Sequence, residues 1–255
     1  MVRLPLRLSR GLAAACLVVV TLGVSPGETP FTVLQMNLCN SGWAGCYTGR
    51  SVAEAASLIR AARPDVVTLN EVCRDDVDAL GRELGAAIAF QPAIDRRVGA
   101  PIRCRAGAPY GIGLLTRRPA DRLPRGETYP IQDPGGPEGR AWLCSPAAGF
   151  VACTTHLVST NPLVALAQCR YFFTTVVSAF PGPVVVGGDF NLGNLSTCRS
   201  STGAADSDGG LQHVAVFGVN SPHRSRVIDM AGTTDHPALL VSLRSTNVTN
   251  PTTSR

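Results

Sequence analysis

A chain of 255 residues, 45% of them apolar, can bury one large core, and a domain of roughly 220 residues is an ordinary size for a layered sheet-and-helix architecture. The formal net charge is +5, but three arginines of the N-terminal segment leave about +2 on the rest, which excludes the strongly basic footprint of a dedicated polyanion binder. All 23 basic residues are arginine, a bias that suits bidentate phosphate contacts and that a GC-rich genome also produces.

Residues 1–28 read as an export signal. Arg3, Arg7 and Arg10 precede an uncharged stretch over 11–24, shorter than the about 20 residues that a membrane helix needs. Cys16 lies inside that apolar run rather than at its end, so it does not read as a lipid attachment point. Beyond the signal stand Cys39, Cys46, Cys73, Cys104, Cys144, Cys153, Cys169 and Cys198, an even set that predicts four disulfides in an oxidising compartment. Proximity pairs Cys39 with Cys46 and Cys144 with Cys153; the other four stay open.

The predicted strands, in chain order, cover 31–38, 66–72, 111–116, 150–158, 183–187, 211–217 and 237–243, apolar runs bounded by Gly, Pro or Asp/Asn. Helical spacing predicts helices over 52–62, 75–84 and 163–180, the last entered by Asn161-Pro162 and stopped by Pro181-Gly182. Segments 91–109, 118–139 and 194–210 read as long surface loops, and 245–255 as a disordered polar tail. Residues 29–244 are then a single domain. Strands and helices without strict alternation predict two packed sheets flanked by helices.

Several strands end in residues suited to phosphate or metal chemistry. The run Pro183-Val-Val-Val-Gly-Gly delivers Asp189 and Asn191 to one side of an extended chain. Other strands deliver Asn37, Asn70-Glu71 and His156, and Asp235-His236 opens the last. Locally, each of these is also ordinary turn or strand-end chemistry. Brought to one sheet edge, they would make a hard-cation site with acid/base groups beside it.

Six segments in one order carry a resemblance: Gln35-Met-Asn-Leu38, Thr68-Leu-Asn-Glu-Val72, Tyr110-Gly-Ile-Gly-Leu-Leu-Thr116, Thr155-His-Leu157, Gly188-Asp-Phe-Asn191 and Thr233-Thr-Asp-His-Pro237. Together they resemble the endonuclease/exonuclease/phosphatase superfamily, which includes pancreatic-type deoxyribonuclease, in the form of a secreted bacterial member. The resemblance implies an α+β fold, a four-layer α/β/β/α sandwich of two mixed β-sheets flanked by helices. It implies Glu71 as the main Mg²⁺ ligand (Mn²⁺ or Ca²⁺ suit the same oxygens), with Asn37 and Asp235 near the metal. It further implies Asp189 to orient or deprotonate the attacking water, and Asn191 to donate to the phosphate. His156 and His236 would flank that phosphate, one as acid or base or as a phosphate-binding cation.

One position departs from the pattern. Gln212 stands where the family segment has Asp, the residue that orients the histidine of the Asp-His pair. A Gln carbonyl accepts a ring N–H but cannot offset imidazolium charge, so a lowered pKa and weaker acid/base function are expected at His236. Asp208 and Asp229 are the nearby carboxylates that would compensate. His213 and His223 read as structural or surface residues.

These observations predict a secreted, divalent-metal-dependent phosphoesterase acting on phosphodiester bonds. Nucleic acid is favoured over lipid as substrate, with Arg96, Arg97, Arg103 and Arg105 on a long loop to hold its backbone. The alternatives are a sphingomyelinase-type phospholipase, another phosphatase, or a binding module weakened at Gln212. A phospholipase would need an exposed apolar or aromatic hairpin, and in a chain only 5% aromatic no run declares one. The mature protein is expected to be a monomer without a stable membrane anchor.

Overall fold

Strand β1 (Phe31–Asn37) shows why this chain forms layers. Val33 packs into a gap between two sheets, while its neighbour Leu34 packs outward against helices, so both faces of the strand are buried. The computed structural model describes residues 31–199, 203–219 and 223–243. The export signal and the tail lie outside them.

In chain order, β1 is followed by α1 (Ser51–Ala62), β2 (Val66–Cys73), α2 (Arg74–Leu84), β3 (Ala87–Pro92), β4 (Ile94–Asp95), β5 (Ala100–Pro101) and β6 (Tyr110–Thr116). Then come β7 (Arg125–Thr128), β8 (Glu138–Gly139), β9 (Ala141–Ala147), β10 (Phe150–His156) and α3 (Pro162–Tyr171). Last are β11 (Val184–Asp189), β12 (Ala204–Ser207), β13 (Gln212–Phe217), β14 (His223–Ile228) and β15 (Ala238–Leu243). One six-stranded sheet runs β14-β15-β1-β2-β6-β3, the other β12-β13-β11-β10-β9-β7, and a three-stranded patch runs β5-β4-β8. Both large sheets are mixed: β1 pairs with β2 and β10 with β11 in parallel, next to antiparallel neighbours.

Three apolar layers hold the sandwich. Val33, Val66, Leu114, Val185, Val216 and Val241 fill the gap between the sheets. Leu34, Leu69 and Leu115 meet Ile59 of α1 and Leu80 of α2 on one outer face. Cys153, Val186 and Phe190 meet Phe172 and Phe173 on the other. This is the four-layer α+β arrangement expected.

The helices start and stop for local reasons. The Asn161 side chain accepts from the Val164 N–H at the start of α3, and Pro162 occupies the first turn, where its missing N–H costs nothing. Predicted helix 163–180 is not uniform: after Tyr171 it widens into a π turn over Phe172–Val176 and then tightens into a 3₁₀ turn over Val177–Ala179. Helix α2 has Asp75 and Asp76 at its positive end and closes on Gly85 at φ 66°.

Loops 91–109, 118–139 and 194–210 contain more strand than the sequence suggests. Strands β4, β5 and β8 are two residues each, too short to leave an alternation pattern. Edge strand β14 (His223-Arg-Ser-Arg-Val-Ile) is almost entirely exposed and carries charge where buried strands carry Val or Leu, which hides it from an apolar pattern and guards the edge. Strand β9 is masked by Pro146, which lies beyond the stretch that pairs with β7 and so needs no N–H on that side.

Cys39 bonds Cys46 and Cys144 bonds Cys153, as proximity predicted; Cys73–Cys104 and Cys169–Cys198 complete the set. No described helix is long and apolar enough to cross a membrane.

Candidate active site

Along the gap between the sheets the inward side chains change from apolar to polar in step. On β1 and β2 the paired positions run Val33–Val66, Gln35–Thr68, Asn37–Asn70; on β11 and β13 they run Val185–Val216, Gly187–Val214, Asp189–Gln212. Strand β10 adds His156 opposite Asp189. One end of the sandwich is therefore a core and the other a cluster of functional groups.

A buried amide network joins the two regimes. Gln35 Nε2 donates to Asn70 Oδ1 at 2.7 Å and, across the gap, to Gln212 Oε1 at 3.0 Å. Thr68 Oγ1 donates to Gln35 Oε1, Asn70 Nδ2 to Thr155 O, and the Asp189 N–H to Asn70 Oδ1. Such a network rigidifies the strand ends because a broken member leaves a buried polar group unpaired. Gly187 keeps the sheets close here, since a Cβ at that position would collide with the Thr68 hydroxyl.

At the polar end, Asn37 Nδ2 donates to Glu71 Oε1 and to Asp189 Oδ2, both at 3.0 Å, while Asn37 Oδ1 accepts from the Cys39 N–H. Glu71 sits in a bulge of β2 between Leu69 and Val72, with φ at 52°, a left-handed conformation that re-aims its side chain into the cluster. Burial raises the Glu71 pKa, an effect to which Glu138 and Asp189 add and which the Asn37 hydrogen bond and Arg140 oppose. Asp189 is fixed at its other oxygen by the Asn191 N–H at 3.0 Å; Asn191, itself at φ 50°, donates from Nδ2 to Leu157 O.

Both histidines face these carboxylates. His236 Nε2 lies 3.6 Å from Asp189 Oδ2 and 3.8 Å from Asp235 Oδ1. His156 Nε2 lies 3.9 Å from Glu71 Oε1 and 4.0 Å from Asp189 Oδ2. His156 Nδ1 is 2.8 Å from Arg140 Nη1. A guanidinium only donates, so Nδ1 is the acceptor and the neutral ring carries its proton on Nε2, pointed into the site. Burial, and then the charges of Arg140 and His236, push the His156 pKa well below its ordinary value. Of the roles expected for this ring, the cationic one is the one its surroundings oppose.

Arg140 escaped the sequence reading. It follows the short strand β8, pairs with Glu138 at 3.2 Å and shares a cleft with Tyr110, Gln91 and His156. The pairing of two-residue β4 with β8, together with bonds from its backbone to Tyr129 and to the Gln132 side chain, sets it there, and no spacing in the sequence announces that.

The expected link from Gln212 to His236 is absent. The Gln212 carbonyl accepts from Gln35, and its amide donates to Pro237 O and to Asp208 Oδ2 at 3.3 Å. The side chain is committed to the network between the sheets and does not orient the His236 ring. Nor does either nearby carboxylate substitute: Asp208 holds Gln212 and the Gly210 N–H, and Asp229 accepts from the Ala231 N–H. His213 bonds Leu192 O and His223 pairs with Asp206, both structural contacts.

Arg96, Arg97 and Arg103 are not drawn into the cluster. Arg96 donates to Asp133 O and Gly136 O, and Arg103 to Gly107 O. Arg97 grips Asp95 with two donors and holds that carboxyl down to about 2. The sulfurs of Cys39 and Cys46 approach the Glu71 carboxylate, but as a disulfide they offer no thiolate to a metal.

Comparison with known proteins identifies the family and the fold. The family model described as "Endonuclease/Exonuclease/phosphatase family" matches residues 36–236. A sequence comparison with curated proteins finds no match. Among solved structures, the D. rerio TDP2 complexed with single-strand DNA product superposes with a TM-score of 0.65 at 14% identity, covering 86% of this chain and 100% of that one. An endonuclease/exonuclease/phosphatase from Beutenbergia cavernae gives 0.63 at 18% identity, covering 85% and 72%. The human Nocturnin catalytic domain with bound sulfate gives 0.63 at 16%, covering 86% and 95%. The chain belongs to the endonuclease/exonuclease/phosphatase family of phosphoric ester hydrolases.

Proposed function

We propose that this protein is an exported, divalent-metal-dependent phosphodiesterase that acts on nucleic acid. The observation that carries the reading is the Asn37 amide, which holds two carboxylates from different sheets, Glu71 and Asp189, on one nitrogen. Two largely buried carboxylates with neutral amides around them are an oxygen donor set for a hard cation, which would offset the charge that burial penalises at Glu71. Glu71 would hold the ion, with Asn37 and the more exposed Asp235 at its margin. When bound, Mg²⁺ (or Mn²⁺ or Ca²⁺) would polarise a phosphoryl oxygen and offset charge that builds there.

The protein groups supply the rest. Asp189, with one oxygen on the Asn191 N–H and the other on Asn37, is held in place to orient the attacking water and take its proton. His156 donates its Nε2–H to a phosphate oxygen and needs no protonation to do so. Asn191 keeps its second amide hydrogen for the same phosphate. His236, less buried and between two carboxylates, exchanges protons with the leaving group.

Four disulfides suit an oxidising compartment and support export of the mature chain. The TDP2 structure holds a single-strand DNA product, which supports a nucleic-acid substrate here. The test uses the purified mature protein beside Asp189→Ala, with and without Mg²⁺, on plasmid DNA, RNA, sphingomyelin vesicles and a soluble phosphodiester. Metal-dependent cleavage of DNA or RNA, lost by about 10³-fold or more in the variant, is expected. No turnover of any phosphodiester overturns the reading.

A further inference from the structure

The disulfide Cys39–Cys46 closes a loop at the edge of the site, and its tip carries Trp43, 68% exposed. The loop is anchored to the site itself: the Asn40 N–H donates to Glu71 O, and the Cys39 N–H to Asn37 Oδ1. A second loop, tied by Cys73–Cys104 to the end of the strand that carries Glu71, supports the ring. Trp43 Nε1 donates to Arg103 O at 3.1 Å, the Arg105 N–H donates to Ser41 O, and the Arg105 guanidinium lies over the indole, 5.9 Å from the ring centroid. The indole is thus exposed but held in place by its edge and by one face.

We propose that Trp43, backed by Arg105, is a stacking subsite for an unpaired nucleobase of the substrate, next to the position of the scissile phosphate. The inference deepens the nucleic-acid reading above and rests on it. An aromatic face restrained before binding gains stacking energy with little ordering cost, and the arginines beside it favour a polyanionic strand. Bilayer insertion needs a contiguous apolar tip, whereas the neighbours of Trp43 are Ser41, Gly42, Ala44 and Gly45. An unpaired base is required because a base inside a duplex has no free face.

The chain has two tryptophans, and Trp142 is only 5% exposed, so ligand quenching of indole fluorescence reports Trp43. A cleavage-resistant phosphorothioate oligothymidylate is expected to quench the wild-type protein, and an abasic oligomer of the same length is not. With a cleavable oligonucleotide, Trp43→Ala is expected to raise KM by about 5- to 150-fold, the loss of one base–aromatic stack, with kcat within a few-fold. Trp43→Phe, which keeps a stacking face, is expected to recover most of that loss. Oligothymidylate that binds by anisotropy without quenching, or an unchanged KM in Trp43→Ala, overturns the inference and leaves the phosphodiesterase reading standing. A blue shift of the indole emission with sphingomyelin vesicles instead overturns it in favour of a lipid surface. Failure of the broader reading is distinct: it is the absence of metal-dependent turnover in the wild type, whatever the quenching shows.

Discussion

Asn37 and Asp189 stand 152 positions apart on different sheets, and the amide nitrogen of one lies 3.0 Å from a carboxylate oxygen of the other. The same nitrogen reaches Glu71, so one side chain links β1, the bulge of β2 and the end of β11. Asn37→Ala leaves two buried carboxylates without their shared donor, which is expected to cost about 1–3 kcal/mol in urea unfolding. Turnover is expected to fall by about 10²-fold or more, because both carboxylates lose their common alignment. Steady-state kinetics beside a denaturation curve separate the two effects, and near-normal turnover would contradict the role given to this amide.

The buried His156 ring makes stability depend on pH, with a sign set by the direction of its shift. Its folded-state pKa lies well below the ordinary value, so below about pH 6.5 the unfolded chain takes up a proton that the folded chain refuses. Stability therefore falls as the pH drops from about 6.5 towards the folded-state pKa. Glu71, raised by burial, acts in the opposite sense, stabilising the fold as pH falls through its own pKa. His156→Asn is expected to flatten the decline in urea midpoint between neutral pH and about pH 5.5. Arg140→Met removes the second-largest cause of the shift and leaves burial, so it is expected to raise the His156 pKa part of the way, measurable in the imidazole NMR titration.

The disulfides divide by what they hold. Replacing either Cys39–Cys46 or Cys73–Cys104 by Ser pairs is expected to cost about 2–4 kcal/mol, more for the pair 31 residues apart than for the pair 7 apart. Cys39 also positions Asn37 through its N–H. Ser keeps that N–H, but with the Cys39–Cys46 loop opened the donor is no longer held in place and kcat is expected to fall. Removal of Cys144–Cys153, on the helix-covered face of the other sheet, is expected to lower the melting temperature with kcat retained. Equal loss of kcat in both variants would show that the Cys39 loop has no special hold on the site.

What could be read in the sequence was what has a local cause. The strands that carry Asn37, Glu71, His156 and Asp189 are short runs built mostly of apolar residues and Thr, and such runs are conspicuous in any chain. The short-range disulfides were legible for the same reason, and the long-range pairs were not. Arg140 depends on a two-residue strand and on the Gln132 side chain that bonds its backbone, and Trp43 on a loop whose exposure no composition reveals. The contacts of Gln212 were not legible because side-chain direction across the gap is a tertiary fact: its partner Gln35 is 177 positions away.

That contact can be tested by restoring the residue the family resemblance leads one to expect. Gln212→Asp shortens the side chain by one methylene and removes both donors, to Pro237 O and to Asp208 Oδ2. It also places a new carboxylate beside Asp208 and leaves the Gln35 amide short of an acceptor across the gap. Each change disfavours a site already buried, so the variant is expected to lose about 1–3 kcal/mol in urea unfolding without gain in kcat. Gln212→Glu keeps the length and the acceptor but not the donor, and is expected to fall between wild type and Asp. An increase in kcat in Gln212→Asp, together with a raised His236 pKa by NMR, would mean that an Asp here reaches the ring after all. The amide network would then be a replacement for a catalytic pair rather than a separate structural device.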